Sequence, residues 1–516
     1  MPPLTAEQLT AVQSLKDRMM ARVEADPQIL QQLSWLGQYL VDSENQLIAL
    51  MNTTPPPASG GIEFGSMLYW IHNDLPKDEF FTWLASKFPP TQIKASTYAD
   101  WQHVWATTGK VAPDGTLYGD GTFSQLDKGW TYAFVLYLLG IFKEIPKAPL
   151  FPSPAPTIVP ITLPNNPTLN VALIGDWGTG SWNDCGTKGP AVAIMEQLQQ
   201  SKAVPDVIIH VGDVYYAGTG HLPLTVNLFM MWLAGEMQRV TGVFVPYIPT
   251  EETFRLVDSW WQSGPVPLSF TLNSNHEMYS GANGYYYEAL AAPLYVAQNK
   301  ASYFAIYYQD WAILGLDSAF YSESFFCMEG ALQDAQHAEQ VAWVQKLDLT
   351  GKKVIALTHH TALSVDGLPI RGNQLCNDMY AALNKRDPDY WYWGHIHNGV
   401  VYNSDVTMSS SRQTTTLCRC VGHSAVPFGD AYYWKDGETH EPLGQNPNVE
   451  YYAGTPLPNP NDYPQWKKRV KNGFAVLTLS QGAIQEAFYE QGSSSPVWPA
   501  KVVKLASKAR RHGGQV

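Results

Sequence analysis

The chain has 516 residues, 13% of them aromatic, including 18 Trp, and only 15% charged, which excludes an intrinsically disordered polymer and leaves room for a large core and more than one domain. A formal net charge of −13 argues against a general nucleic-acid binder, because phosphate backbones reward a basic face. Five cysteines (Cys185, Cys327, Cys376, Cys418, Cys420) are too sparse and too odd in number for a disulfide framework, and Cys418-Arg419-Cys420 has neither zinc-finger nor redox spacing, so they read as buried thiols.

Met1 to Gln13 lacks the basic start and apolar core of a secretory signal, and the expectation is a soluble, cytoplasmic protein. Leu, Val, Ile and Met recur at three- and four-residue intervals over Glu7 to Val23 and Pro27 to Met51, which predicts amphipathic helices. Further helices are predicted over Glu63 to Leu75, Lys77 to Lys87 and Trp130 to Lys143. The most apolar stretch, Trp130 to Phe142, is about half a bilayer span and reads as a buried helix, so no integral membrane segment is expected. Residues 1–145 thus form an expected all-α N-terminal domain of unknown role, a candidate for binding a protein partner. Its His72 and His103 are isolated. Residues 146–168 are dense in proline, which cannot continue a helix or a central strand, and read as a linker or extended strap.

From Leu169 the pattern becomes strand, loop, helix. Short apolar runs at Asn170 to Ile174, Val207 to Val211, Leu268 to Leu272, Val354 to Leu357 and Tyr390 to Trp393 predict strands covered on both faces. Helices are expected at Gly189 to Gln200, Gly330 to Leu347 and Met379 to Lys385, and a returning strand at Phe474 to Leu479. This alternation predicts a layered α/β sandwich with right-handed crossovers over 169–490. Residues 221–264, 279–298 and 407–465 read as long interruptions that cover an active site or carry recognition. Residues 491–516, with Lys501, Lys504, Lys508, Arg510 and Arg511, read as a frayed basic tail.

Each of the five strands is followed by residues that bind metals: Gly175-Asp176-Trp177-Gly178, Gly212-Asp213-Val214-Tyr215-Tyr216, Asn275-His276-Glu277, His359-His360 and Gly394-His395-Ile396-His397. Loops at the carboxyl ends of such strands converge on one crevice. Asp176 and Asp213 offer hard anionic oxygens, one of which can bridge two cations. Asn275 adds a neutral carbonyl oxygen, and His359, His395 and His397 add imidazole nitrogens suited to iron or zinc. His395 and His397 can serve different metals if the backbone turns between them, which Gly394 favours.

The order of these motifs resembles the calcineurin-like metallophosphoesterases across roughly Leu169 to His397, and in detail the purple acid phosphatases. Most members carry a His where Gly178 stands. The purple acid phosphatases have Gly there and a Tyr three residues after the second Asp, the position of Tyr216. Ser274 stands where the family usually has Gly. The resemblance does not reach the helical domain, and beyond Gly399 it touches only the final strand. It implies a four-layer α/β/β/α sandwich. It also implies one metal, expected as Fe(III), on Asp176, Asp213, Tyr216 and His397, and a second, divalent Fe, Zn or Mn, on Asp213, Asn275, His359 and His395, with Asp213 bridging. In a reducing cytoplasm, manganese or a di-ferrous pair could replace the iron(III) centre.

The implied reaction is hydrolysis of phosphomonoesters by in-line attack of a metal-bound hydroxide, with the cations about 3.5–4 Å apart. The resemblance makes His276 the contact to phosphate or the proton donor to the leaving oxygen, with His360 as a second candidate and Glu277 orienting either. The partner expected is a phosphorylated small molecule. Two other readings remain: a phosphodiesterase acting on cyclic nucleotides or phospholipid headgroups, with Tyr285-Tyr286-Tyr287 stacking an aromatic group, and a scaffold protein with a vestigial site. Arg255 and Arg371 are candidate phosphate contacts, and Asp317 reads as a structural turn.

Overall fold

A computed structural model describes residues 3–52, 62–75, 77–108, 122–123, 126–148, 156–163, 167–182, 188–201, 204–242, 245–261, 264–370, 374–404, 415–426, 447–455 and 470–504. The helical part comprises α1 (Ala6–Ala25), α2 (Pro27–Asn52), α3 (Ile62–Asn73), α4 (Glu79–Ala85), α5 (Ala95–Thr108) and α6 (Trp130–Ile141). The first of these starts on a capping box, in which the Thr5 side chain accepts from the Gln8 amide and the Gln8 side chain accepts from the Thr5 amide. Thereafter the chain runs through β1 (Ile158–Pro160), β2 (Leu169–Ile174), α7 (Pro190–Gln199), β3 (Val207–His210), α8 (Leu224–Thr241), β4 (Leu268–Thr271) and the single turn α9 (Asn275–Met278). Next come β5 (Phe304–Tyr308), β6 (Trp311–Gly315), α10 (Glu339–Gln345), β7 (Lys353–Leu357), α11 (Gln374–Ala382), β8 (Tyr390–Trp393) and β9 (Gly399–Tyr402). The last strands are β10 (Leu417–Val421), β11 (Val449–Tyr452), β12 (Gly473–Ser480), β13 (Ala483–Glu490) and β14 (Trp498–Lys504).

The strands form two sheets, ordered β14-β13-β12-β2-β3-β4 and β1-β5-β6-β7-β8-β10-β9-β11. Strands β2, β3 and β4 are parallel, as are β6, β7 and β8. The continuous apolar runs have a simple cause. On β2, Leu169, Val171 and Leu173 face the other sheet, where they join Ile313, Ile355, Leu357 and Tyr390. The alternate residues Ala172 and Ile174 face outward onto Ile194, Met195 and Leu198 of α7. The second sheet mirrors this, burying Ala312, Leu314 and Ala356 under Val341 and Val344 of α10 and Met379 of α11. Helix, sheet, sheet, helix is therefore the layer order, and every central strand must be apolar on both faces. A buried pair ties the two sheets together: Arg419 of β10 donates to both carboxylate oxygens of Glu486 on β13, at 2.7 and 3.0 Å.

Several regions sharpen or depart from expectation. Part of the proline-rich stretch is itself a strand, β1, pairing in parallel with β5 on the sheet edge, where a proline costs least. Residues 330–338 are not helical, because the Asp334 carboxylate accepts from the Gln336 and His337 amides and holds a local turn instead. Trp498 to Lys504 extends the sheet as β14 instead of fraying. The interruption after His221 contains α8, a helix of 18 residues. Its Val226, Phe229, Met230, Leu233 and Met237 enter one core with Leu15 and Met19 of α1, Phe80 and Phe81 of α4, and Leu136 of α6. That core continues without a break into Tyr215, Tyr216, Tyr279 and Phe326 on the loops above the sheets. Among the described residues no helix is long and apolar enough to cross a membrane.

Candidate metal centre

Strands β2, β3, β7 and β8 deliver Asp176, Asp213, His359 and His395 to one place, and α9 adds Asn275. Asp176, Asp213, His395 and His397 all adopt positive φ (54°, 78°, 68° and 49°), a conformation uncommon outside glycine that clusters at functional sites. Two glycines permit the close packing beneath them. A Cβ on Gly394 would lie 2.8 Å from Asp176 Oδ1, and one on Gly178 would lie 2.4 Å from the Asp213 carbonyl oxygen. Gly178 donates to that same oxygen at 3.0 Å, so a side chain at position 178 would part the first two loops.

Hydrogen bonds define which atoms face inward. His359 Nδ1 lies 2.9 Å from the Val211 carbonyl, an acceptor only, so Nδ1 carries the proton and Nε2 the lone pair. That lone pair meets Asn275 Oδ1 at 2.8 Å and Asp213 Oδ1 at 3.2 Å. Asn275 is oriented by its amide nitrogen, which donates to Tyr279 Oη at 2.8 Å. His395 repeats the arrangement: Nε2 donates to the Met328 carbonyl at 3.1 Å, and Nδ1 lies 3.2 Å from Asn275 Oδ1. Asp176 Oδ2 and Asp213 Oδ1 are buried without a hydrogen-bond partner. Lone pairs from the Asp213 carboxylate, an amide and two imidazoles thus converge with no proton between them, with the unpartnered Asp176 Oδ2 beside them. Such a set repels itself unless a cation lies at its centre, and the residues fit one.

Asp213 also faces a second group. Its Oδ2 accepts from the Tyr215 hydroxyl at 2.7 Å and lies 3.5 Å from His397 Nε2 and 3.9 Å from His276 Nε2. Tyr215 Oη is in turn 3.0 Å from His397 Nε2. Burial pushes Asp176 well above the usual carboxylate range, and the Asp213 charge pushes it further. For Asp213 burial acts in the same upward direction, but His276, His359 and His397 outweigh it and hold it well below that range. A bound cation would bring both carboxylates to their charged form.

The phenol at this centre belongs to Tyr215, whereas sequence reading placed Tyr216 there. The Tyr216 hydroxyl turns the other way and donates to Asp127 of the helical part, with its ring against Phe123 and Trp130. Nothing in adjacent tyrosines tells which one faces the site. His276 Nδ1 donates to the Tyr216 carbonyl at 2.7 Å, leaving Nε2 toward Asp213. Burial lowers this imidazole to about 4. Glu277 does not orient it; its carboxylate takes the Ser274 hydroxyl. His360 is engaged at both nitrogens, by Ser318 at 2.9 Å and the Cys327 carbonyl at 2.7 Å, and has no nitrogen left for a proton donor's role.

Arg255 is buried against Glu251 and the Thr179 carbonyl, so it is a packing cation and not a free phosphate contact; Arg371 lies outside the described residues. Tyr285 and Tyr286 are buried and bonded to the Thr271 carbonyl and Ser302, and Tyr287 packs on His221. Asp317 caps its own turn through the Ala319 and Phe320 amides. The residue that sequence reading passed over is Trp130, the first of α6, whose ring centroid lies 5.4 Å from that of His276 and 6.0 Å from that of Tyr215.

Residues 169–399 match the family model of the calcineurin-like phosphoesterases. The matched segment holds all five motif loops and leaves α1 to α6 outside. No match is found among curated proteins. Among solved structures, GAP50, described as the anchor in the inner membrane complex of Plasmodium, aligns with 67% of this chain and 91% of its own, at 13% identity and a TM-score of 0.38. A single mutant of Vps29 from Entamoeba histolytica aligns with 65% of this chain and 99% of its own, at 10% identity and a TM-score of 0.21. Both likenesses are too distant to carry an argument about this chain.

Proposed function

We propose that the chain is a dinuclear metal-dependent phosphoesterase that hydrolyses phosphomonoesters, of the purple acid phosphatase kind. The observation that carries this reading is the convergence of lone pairs from Asp213, Asn275, His359 and His395, with the Asp176 carboxyl beside them, in a buried cluster at the carboxyl ends of the strands. Asp213 presents one oxygen to each of two groups, which supports its reading as the bridging carboxylate. One cation would take Asp213, Tyr215 and His397 and the other Asp213, Asn275, His359 and His395; Asp176, whose oxygens lie with those of Asp213 and His359, would complete the first as the family resemblance implies. A phenolate favours a hard trivalent ion such as iron(III) in the first position, with zinc, iron or manganese in the second. When bound, the pair would neutralise the phosphoryl oxygens and lower the pKa of a coordinated water.

The remaining residues have roles of their own. His276 is fixed at Nδ1 by the Tyr216 carbonyl and presents Nε2 toward Asp213, where it can hold a proton for the leaving oxygen. The negative charge of a bound phosphoryl group would raise its low pKa toward neutrality. Trp130 closes the wall beside it and keeps water away from the transfer.

Metal analysis of the purified chain beside hydrolysis of 4-nitrophenyl phosphate and bis(4-nitrophenyl) phosphate tests the proposal. About two metals per chain and turnover of the monoester are expected, and Asp213→Asn should abolish turnover. Preferential cleavage of the diester would move the reading to a phosphodiesterase. Normal turnover by Asp213→Asn, or a chain that takes up no metal after reconstitution, would overturn it.

A further inference from the structure

The segment Phe325 to Met328 joins the helical part to the centre. It is a short 3-10 turn whose residues Phe326 and Cys327 both hold positive φ, 50° and 49°. Consecutive left-handed residues other than glycine persist only where the surroundings hold them. Here both sides do. On one side the fully buried Phe326 ring stacks at 4.1 Å on Phe64 of α3 and at 4.4 Å on Tyr137 of α6. Tyr39 of α2 and Phe134 of α6 complete the socket, at 6.0 and 6.2 Å. On the other side the next two carbonyls point into the centre. Cys327 accepts from His360 Nε2 at 2.7 Å, Met328 accepts from His395 Nε2 at 3.1 Å, and Met328 Sδ touches the Asn275 amide at 3.8 Å.

We propose that Phe326 is a positioning residue through which the helical part sets the metal affinity of the centre. The step rests on the dinuclear reading above. With Nε2 of His395 committed to the Met328 carbonyl, Nδ1 is the nitrogen left to face Asn275 and a cation. Partners of this kind fix the tautomer and aim of a metal-binding imidazole, and their loss typically weakens metal binding about 10- to 100-fold. The Met328 carbonyl has no rigid strand behind it; its place is set by the ring two residues earlier, held between α2, α3 and α6. Without that grip the two left-handed residues can relax, and the carbonyl moves off His395.

The test uses the full chain, stripped of metal and titrated with Zn2+ against a chromophoric chelator, with far-UV circular dichroism and Tm on the same samples. Phe326→Leu on the loop and Phe64→Leu in the socket are each expected to weaken Zn2+ binding about tenfold or more while keeping the wild-type circular dichroism. The double variant is expected to lose little beyond either single one, since both cut the same link. Phe488→Leu, which removes a comparable ring from the core between the sheets, is expected to lower Tm and leave Zn2+ affinity unchanged. Unchanged affinity in both folded single variants, or an equal loss in Phe488→Leu, would overturn the proposal. A wild-type chain that binds Zn2+ and shows the coupling but hydrolyses no phosphate ester would instead overturn the hydrolase reading alone.

Discussion

Tyr215 and Tyr216 are neighbours in the chain with opposite duties. Tyr215 reaches Asp213 and His397, and Tyr216 reaches Asp127, whose carboxylate also accepts from the Phe123 and Gly129 amides. If iron(III) occupies the first position, Tyr215→Phe should abolish a visible phenolate-to-iron band. Tyr216→Phe should keep the band and lower stability by about 1–3 kcal/mol, the usual result of stripping a buried carboxylate of one donor. Absorption spectra and urea melts of both variants decide it, and loss of the band only in Tyr216→Phe would reverse the assignment. Glu252 makes a second prediction at this scale. It is fully buried, one oxygen accepts from Gly220 at 2.8 Å, the other has no partner, and burial pushes its pKa from 4.5 to about 8. The folded chain therefore keeps a proton that the unfolded chain releases. The stabilisation is complete below about pH 4.5 and is lost as pH rises through about 8. Glu252→Gln cannot ionise, so its Tm relative to wild type should rise between pH 5 and pH 9; an offset constant with pH would refute the account.

At the scale of elements, the strand-end loops were legible and the contacts that cross between elements were not. Asp176, Asp213, Asn275, His359, His395 and His397 each follow an apolar run that ends within a residue or so of the observed strand, because a strand covered on both faces leaves a local signature. Helix α8 carried a signature too. Its apolar residues recur at helical spacing, but they sit inside a stretch read as an interruption, and periodicity does not say which core a helix joins. The first turn of α6 was harder still. Trp130 stands more than 80 residues before Asp213, and its approach to His276 and Tyr215 depends on the whole bundle docking. The ring offers an aromatic face beside the imidazole, so Trp130→Ala should lower kcat/KM for an aryl phosphate about two- to tenfold, matching roughly 0.5–1.5 kcal/mol for a lost aromatic contact. The same substitution should matter less for a small alkyl phosphate. Equal losses on the two substrates would show that Trp130 supports the fold and does not meet the substrate.

For the whole molecule, the question is whether residues 1–145 form a separable unit. The apolar core argues otherwise, since it runs from Leu15 and Met19 of α1 through Phe229 and Leu233 of α8 to Tyr216 and Phe326. Lys16 adds a cation over the Trp232 ring of α8, 3.5 Å from its centroid. Removal of α1 to α6 would bare the apolar side of α8, the Tyr216 ring and the Phe326 plug together, and exposed patches of that size drive association. A chain beginning at residue 146 is therefore expected to aggregate, and any soluble fraction should be cut by protease within 221–264 and bind metal more weakly than the full chain. Size-exclusion chromatography, limited proteolysis and metal titration of the two chains make the comparison. A soluble, monomeric truncation with full metal content and turnover would mean that the two sheets and their loops suffice. The helical part would then be an appended module, with its role sought in binding and not at the metal centre.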